Sequence, residues 1–151
     1  MAKTSPRASN NPYKKKGSII GLEQGKIPPQ AVELEEAVLG ALMIDKNALN
    51  EVIDILEAEC FYKDAHREIY SAIKTLFTES QPIDMLTVST MLRKNGKLEL
   101  CGGDYGIANL TQKVASSAHI EYHARIIVQK HIQRSLIRVS SEIIHDAYDE
   151  S

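Results

Sequence analysis

IEYHARIIVQKHIQRSLIRVSSEIIHDAY, residues 120–148, is the stretch from which the rest of the chain is best read. No Pro or Gly interrupts it, and Val128, Ile132, Leu136, Val139, Ile143 and Ala147 follow one another at steps of three and four. That spacing puts them on one side of a helix. Ile120, Ile127, Ile137, Ile144 and Tyr148 trace a second line along a neighbouring side. Two apolar lines predict a helix covered on more than one flank.

The length of this helix sharpens the expectation. A helix of this span is about 43 Å long, while the folded residues before it make a globule only about 32 Å across. It therefore overhangs its own domain. Burying six aliphatic side chains contributes roughly 9–18 kcal/mol before ordering costs, too much to leave in water. The expected cover is a short hairpin partner together with the same helix of another subunit. The alternative is a helix that kinks and folds back on its own core.

A chain of 151 residues fits one domain. Low aromatic content and the absence of Trp, beside abundant Leu, Ile, Ala, Glu and Lys, favour an all-α fold. No apolar run is long enough to span a membrane, and the N-terminus lacks the apolar core of a signal peptide. Cys60 and Cys101 stand apart without CxxC spacing, and read as small buried residues of a reducing cytoplasm. The net charge of −2 hides an asymmetry: residues 1–26 carry +5 and residues 27–151 carry −7. Residues 1–26, rich in Ser, Asn, Pro, Lys and Gly, read as a disordered basic arm in which Lys14, Lys15 and Lys16 form a solvated cluster. The alternative is that they touch phosphates, which would make the chain a basic-armed nucleic-acid-binding module; a stand-alone helical adaptor is the other alternative.

Further elements follow in order. Pro28-Pro29 opens a first helix with Glu33, Glu35 and Glu36 near its start, where the helix dipole favours acids. Leu34, Val38, Ala41 and Leu42 form its buried face, Gly40 admits a close neighbour, and it ends near Asp45. A second helix starts by Asn47 and carries Leu49, Val52, Ile53 and Leu56. A third has Ile69, Ile73, Leu76 and Phe77 inward, with His66 and Tyr70 one turn apart. Asp84 is the N-cap of a fourth with Met85, Val88, Met91 and Leu92 inward, stopped at Asn95-Gly96. Gly102-Gly103 turns the chain into a short fifth helix from Tyr105 to about Lys113, and Ser116-Ser117 breaks it before the long final helix. These last two helices make the hairpin, residues 101–148, behind a helical head, residues 27–100.

Catalytic motifs are missing. Gly25-Lys26 and Gly96-Lys97 lack the spaced glycine and Ser/Thr of a phosphate-binding loop, and there is no GxGxxG, HExxH or nucleophile elbow. His119 and His123 lie one turn apart, but read as an exposed or hydrogen-bonded pair rather than metal ligands. His66 reads as a satisfied structural histidine. Arg125, Lys130, Arg134 and Arg138 form a row on the last helix whose neighbours Glu121, Glu142 and Asp146 dilute its field, so the row reads as a protein-contacting or solvated face. The chain is therefore expected to hold no catalytic, cofactor or metal site.

Five blocks, PPQAVELEEAVLGALMID (28–45), FYKDAHREIYSAI (61–73), PIDMLTV (82–88), LELCGGDYGIANL (98–110) and HIEYHARIIVQKHIQRSLI (119–137), together resemble the N-terminal domain of DnaB-type bacterial replicative helicases. The resemblance runs from about Ile27 to Tyr148. It implies a helical head followed by a helical hairpin, hairpins that pair heads into dimers, and three dimers forming a collar on a hexameric ring. It also implies that the ATPase motor, with its ATP and Mg, lies in a further domain beyond a linker, so that this chain is a non-catalytic fragment, itself a dimer, of a cytoplasmic protein. The DnaG-type primase docks on such a collar and a helicase loader is a possible further partner, whereas DNA is bound weakly if at all through this chain. Val128, Ile132, Leu136, Ile137, Val139, Ile143 and Ile144 are the expected interface residues, with Tyr105, Ile137 and Ile143 expected to meet primase. One departure is Gly106, where the family commonly has an aromatic residue.

Overall fold

The structure is a computed structural model that describes residues 25–114 and 117–150. The arm up to residue 24, its lysine cluster and Ser116 lie outside these residues. Among the described residues the fold is all-α: α1 (Val32–Ile44), α2 (Ala48–Val52), a 3-10 turn (Ala58–Cys60), α3 (Asp64–Thr78), α4 (Met85–Lys94), α5 (Gly103–Gln112) and α6 (Ile120–Tyr148). The final helix has the bounds its apolar spacing predicts.

Helix α1 is the hub, packed against all five other α-helices. Val38, Leu39, Gly40, Ala41, Leu42 and Met43 are consecutive and all buried. A helix apolar on every side has no wet face to keep and belongs in the centre. At Gly40 the backbone of α5 comes so close that a Cβ would run into the Leu110 carbonyl and the Val114 side chain. Through that approach the short arm of the hairpin is built into the head: α5 buries Ile107 and Leu110 in the common core, and both α5 and α6 lie on α1.

Several elements differ from the sequence reading, each for a local reason. Helix α1 starts at Val32 rather than at the prolines, where the Pro29 carbonyl instead accepts a hydrogen bond from Arg134 (2.7 Å). Helix α2 closes after Val52. Leu56 is still fully buried, with its carbonyl accepting from the Tyr70 hydroxyl (3.0 Å) instead of a helical N–H. Phe77 and Met85, expected inside, are each 43 % exposed. Ile69, Ile73 and Leu76 already fill the inner face of α3, while Met85 occupies the uncovered first turn of α4, which buries Val88, Ser89 and Leu92. Gly106 has a packing reason, since a Cβ there would strike the Cys101 carbonyl.

The helix ends follow from cap chemistry. Asp84 caps α4 as expected: its Oδ1 accepts from the Thr87 N–H (2.8 Å) and its own N–H donates to Thr87 Oγ1 (3.0 Å). Three helical turns end in the same reversal, in which the N–H of one residue reaches back five positions: Gln81 to Leu76, Lys97 to Leu92 and Gly103 to Leu98. This motif needs a left-handed residue just before the returning N–H. Gly96 and Gly102 supply it in two cases, but in the third it is Ser80, with φ 54°.

Two outcomes follow. Ser80→Gly should stabilise the chain by about 0.5–1 kcal/mol, because it relieves the left-handed strain at some entropic cost, measurable as a raised denaturant midpoint. Gly40→Ala should destabilise by about 1–3 kcal/mol or more through overpacking at Leu110, with a lowered Tm.

Candidate interaction surface

The root of α6 is fixed in the head. Ile120, Ala124 and Ile127 are buried, and Val128 is half-buried against the same core. Just beyond them Arg134 acts as a clamp. Its Nη1 donates to the Pro29 carbonyl (2.7 Å), its Nη2 donates to the Cys60 carbonyl (2.8 Å), and the guanidinium lies 5.4 Å from the Tyr62 ring centroid. Such stacking on an aromatic face adds to the hydrogen bonds. Burial lowers the Arg134 pKa, and the nearby Glu35 charge works against that; the guanidinium stays charged.

Beneath the clamp lies a buried carboxylate–imidazole hydrogen bond. Glu35, fully enclosed between α1 and α3, accepts from the Tyr62 N–H (2.8 Å) and meets His66 Nδ1 at 2.8 Å. Burial pushes its carboxyl pKa up, but the His66 hydrogen bond and charge and the Tyr62 N–H together hold it below 4.5. His66 is thus a satisfied structural histidine, with Glu35 as its partner. Glu36, next in sequence, instead pairs with Lys113 of the α5–α6 link at 2.7 Å.

Past the clamp the helix leaves its support. Ile132, Leu136, Val139 and Ile143 are 52, 62, 41 and 62 % exposed and fall on one line at helical spacing. The helix does not turn back: α6 is continuous to Tyr148. Ile137 is 44 % exposed and Ile144 is half-buried; these two lie on the second line with the exposed Tyr148. At 100° per residue Ile137 and Ile143 sit about 120° apart, so one flat surface does not reach both. Tyr105 projects from α5 and is exposed.

The cationic row of α6 divides. Arg125 pairs with Glu121 (2.7 Å) and Arg138 with Glu142 (2.9 Å), each one turn away. Arg134 differs from them in reaching across to the Tyr62 ring and the Cys60 carbonyl. Sequence spacing alone carried no signal for that role, since its acceptors are backbone carbonyls. Nor did it mark Glu35, one of three acids around a helix start.

Neither cysteine is poised as a nucleophile. Burial raises the Cys60 thiol pKa, and burial followed by the Glu68 charge pushes the Cys101 thiol up to about 11. Both are neutral thiols near pH 7, and only a thiolate attacks or ligates well. Among the described residues no group of three His, Cys, Asp or Glu converges to hold a metal ion. No helix there is long and apolar enough to cross a membrane.

An all-helical head with a projecting, half-uncovered helix is a head-and-rod domain. Comparison with known sequences places it further: the chain belongs to the DnaB-like helicase N terminal domain family, whose profile matches residues 27–129. It is similar to the replicative DNA helicase DnaB of Rhodothermus marinus, 45% identical over 127 residues that make up 84% of this chain and 13% of that protein. The DnaB of Geobacillus stearothermophilus is 39% identical over 123 residues, 82% of this chain and 27% of that protein. The chain thus spans less than a third of these relatives. The crystal structure of the N-terminal domain of DnaB helicase from Mycobacterium tuberculosis superposes with a TM-score of 0.79 at 31% identity, covering 82% of this chain and 89% of that one.

The Glu35 pair fixes a pH dependence. Its carboxyl titrates lower in the fold than in the unfolded chain, so its contribution is full above about pH 4.5 and is lost as pH falls through the depressed value. Asp45, lowered by the Asn47 N–H and the Ser117 hydroxyl, acts in the same direction. Glu35→Gln should cost about 1–3 kcal/mol at neutral pH and flatten the fall of Tm below pH 4.5, a comparison that thermal melts at stepped pH provide.

Proposed function

We propose that this chain is the non-catalytic assembly and docking domain of a replicative DNA helicase. In this reading residues 27–100 form the head, and residues 101–148 form the hairpin, whose short arm is fixed to the head and whose long arm, α6, pairs with α6 of a second copy. Dimers of this kind then assemble three at a time into the collar of a hexamer. The observation that carries the reading is the exposed line of Ile132, Leu136, Val139 and Ile143 on a rod held away from its own core, in a chain of this family.

Non-catalytic status is supported by the missing phosphate-binding motif and by the neutral, enclosed thiols. The domain itself takes no cofactor or metal; ATP and Mg belong to the motor domain of the whole protein. A DnaG-type primase docks on the collar through Tyr105 and the second line at Ile137, or through Ile143 where a dimer leaves it free, and a helicase loader is a further candidate partner. The setting is the bacterial cytoplasm at the replication fork.

Ile143→Asp tests the pairing. A self-complementary interface presents each substitution twice, so the dimer Kd should rise at least about 100-fold, seen by light scattering across a concentration series, with the circular dichroism spectrum unchanged. Equal self-association of the variant and the wild-type chain removes this line from the interface. A primase pull-down with Ile137→Asp tests the docking surface separately.

A further inference from the structure

On the opposite side of α6 from the Ile132–Ile143 line, about 180° round the helix, the chain encloses a cleft of about 520 Å³. Ile27, Pro28, Tyr62 and Ile137 form its apolar walls, and Lys26, Arg67, Arg134 and Arg138 supply its charge. Among the described residues no carboxylate lines it. That runs against the −7 carried by residues 27–151, so cations are concentrated here on an otherwise acidic body. The same three arginines also line a neighbouring cleft with His131, Ser135 and Glu59.

The side chains differ in availability. Arg134 is committed to two carbonyls and lies over the Tyr62 ring. Arg67 donates from Nε to the Phe61 carbonyl (2.7 Å) and pairs with Asp64 (3.0 Å), and Arg138 pairs with Glu142. These ion pairs are exposed, worth little, and exchange readily for a stronger anion. Lys26 is exposed.

We propose that this cleft binds single-stranded nucleic acid, with a base seated against Tyr62, Pro28 and Ile137 and the flanking phosphates on Lys26, Arg67 and Arg138. A groove that follows the backbone with cations and offers an aromatic platform is what strand binding without sequence preference requires. Cations set around an apolar wall that includes an aromatic ring suit a ligand that joins phosphates to flat bases better than a short acidic peptide. A flat apolar wall takes a base face that a duplex keeps stacked internally. Because α6 separates the cleft from the Ile132–Ile143 line, pairing of two copies along that line leaves it open.

Fluorescence anisotropy of the full chain with labelled oligothymidylate tests the proposal. Affinity should fall with salt at a slope of about −0.7 per phosphate contacted. Lys26→Ala/Arg138→Ala should weaken binding at least about tenfold at low salt and reduce that slope by about 1.4. Tyr62→Leu should weaken it at least about fivefold through lost stacking. Ile143→Asp should leave it unchanged whatever it does to self-association, so the cleft and the pairing reading fail separately. Lys26 and Arg138 are exposed, so the double variant decides the matter even where Tyr62→Leu lowers Tm. Undiminished binding by the double variant overturns the proposal. So does complete loss on deleting residues 1–24 while the cleft variants bind as the wild type does, or competition by polyglutamate equal to that of oligothymidylate at matched charge.

Discussion

The whole head depends on one constraint: α1 must be enclosed on every side. Six consecutive residues of that helix are buried, so no orientation leaves it half in water, and the other five helices take their places by covering it. Gly40 sets how tightly this is done. Without a side chain there, α5 settles its backbone against α1, which draws the short arm of the hairpin into the core and leaves only α6 free to project. The division between a compact head and a protruding rod is a consequence of that single close approach.

Apolar burial fixes which surfaces meet but is non-directional, so the bearing of α6 needs contacts with angular preference. Arg134 supplies them. Two carbonyls and one ring, from the segment before α1 and the segment before α3, receive the one guanidinium. Tyr62 is held in turn by Glu35 through its N–H, and Glu35 by His66. A continuous polar seam thus joins α1, α3 and α6 beside the core. Its buried members are satisfied, as such groups must be to avoid a desolvation penalty.

Much of this was legible in the sequence. The bounds of α6, the Asp84 cap, the stop at Gly96 and the close neighbour of Gly40 each rest on local spacing or local backbone preference, and each is found in place. The blocks that carry the family resemblance were equally readable. What could not be read depends on residues far apart in the chain. Glu35 and His66 are 31 positions apart, and nothing near Glu35 separates an enclosed acid from Glu33 or Glu36. The acceptors of Arg134 are 105 and 74 positions away and are backbone atoms, which every residue possesses. Phe77 and Met85 misled because helical spacing tells which residues share a side, and not where the neighbour covering that side ends.

The clamp at Arg134 also sets a mechanical requirement. From Arg134 to Tyr148 the rod extends 14 residues, about 21 Å at 1.5 Å per residue. Angular play of about 5° at the pivot would sweep the tip through roughly 2 Å, more than close-packed side chains tolerate at a contact. A long cantilever is useful for bringing copies into register only when its hinge is stiff. Here the stiffness resides in a few polar bonds at the fulcrum, well removed from the apolar residues whose alignment they govern.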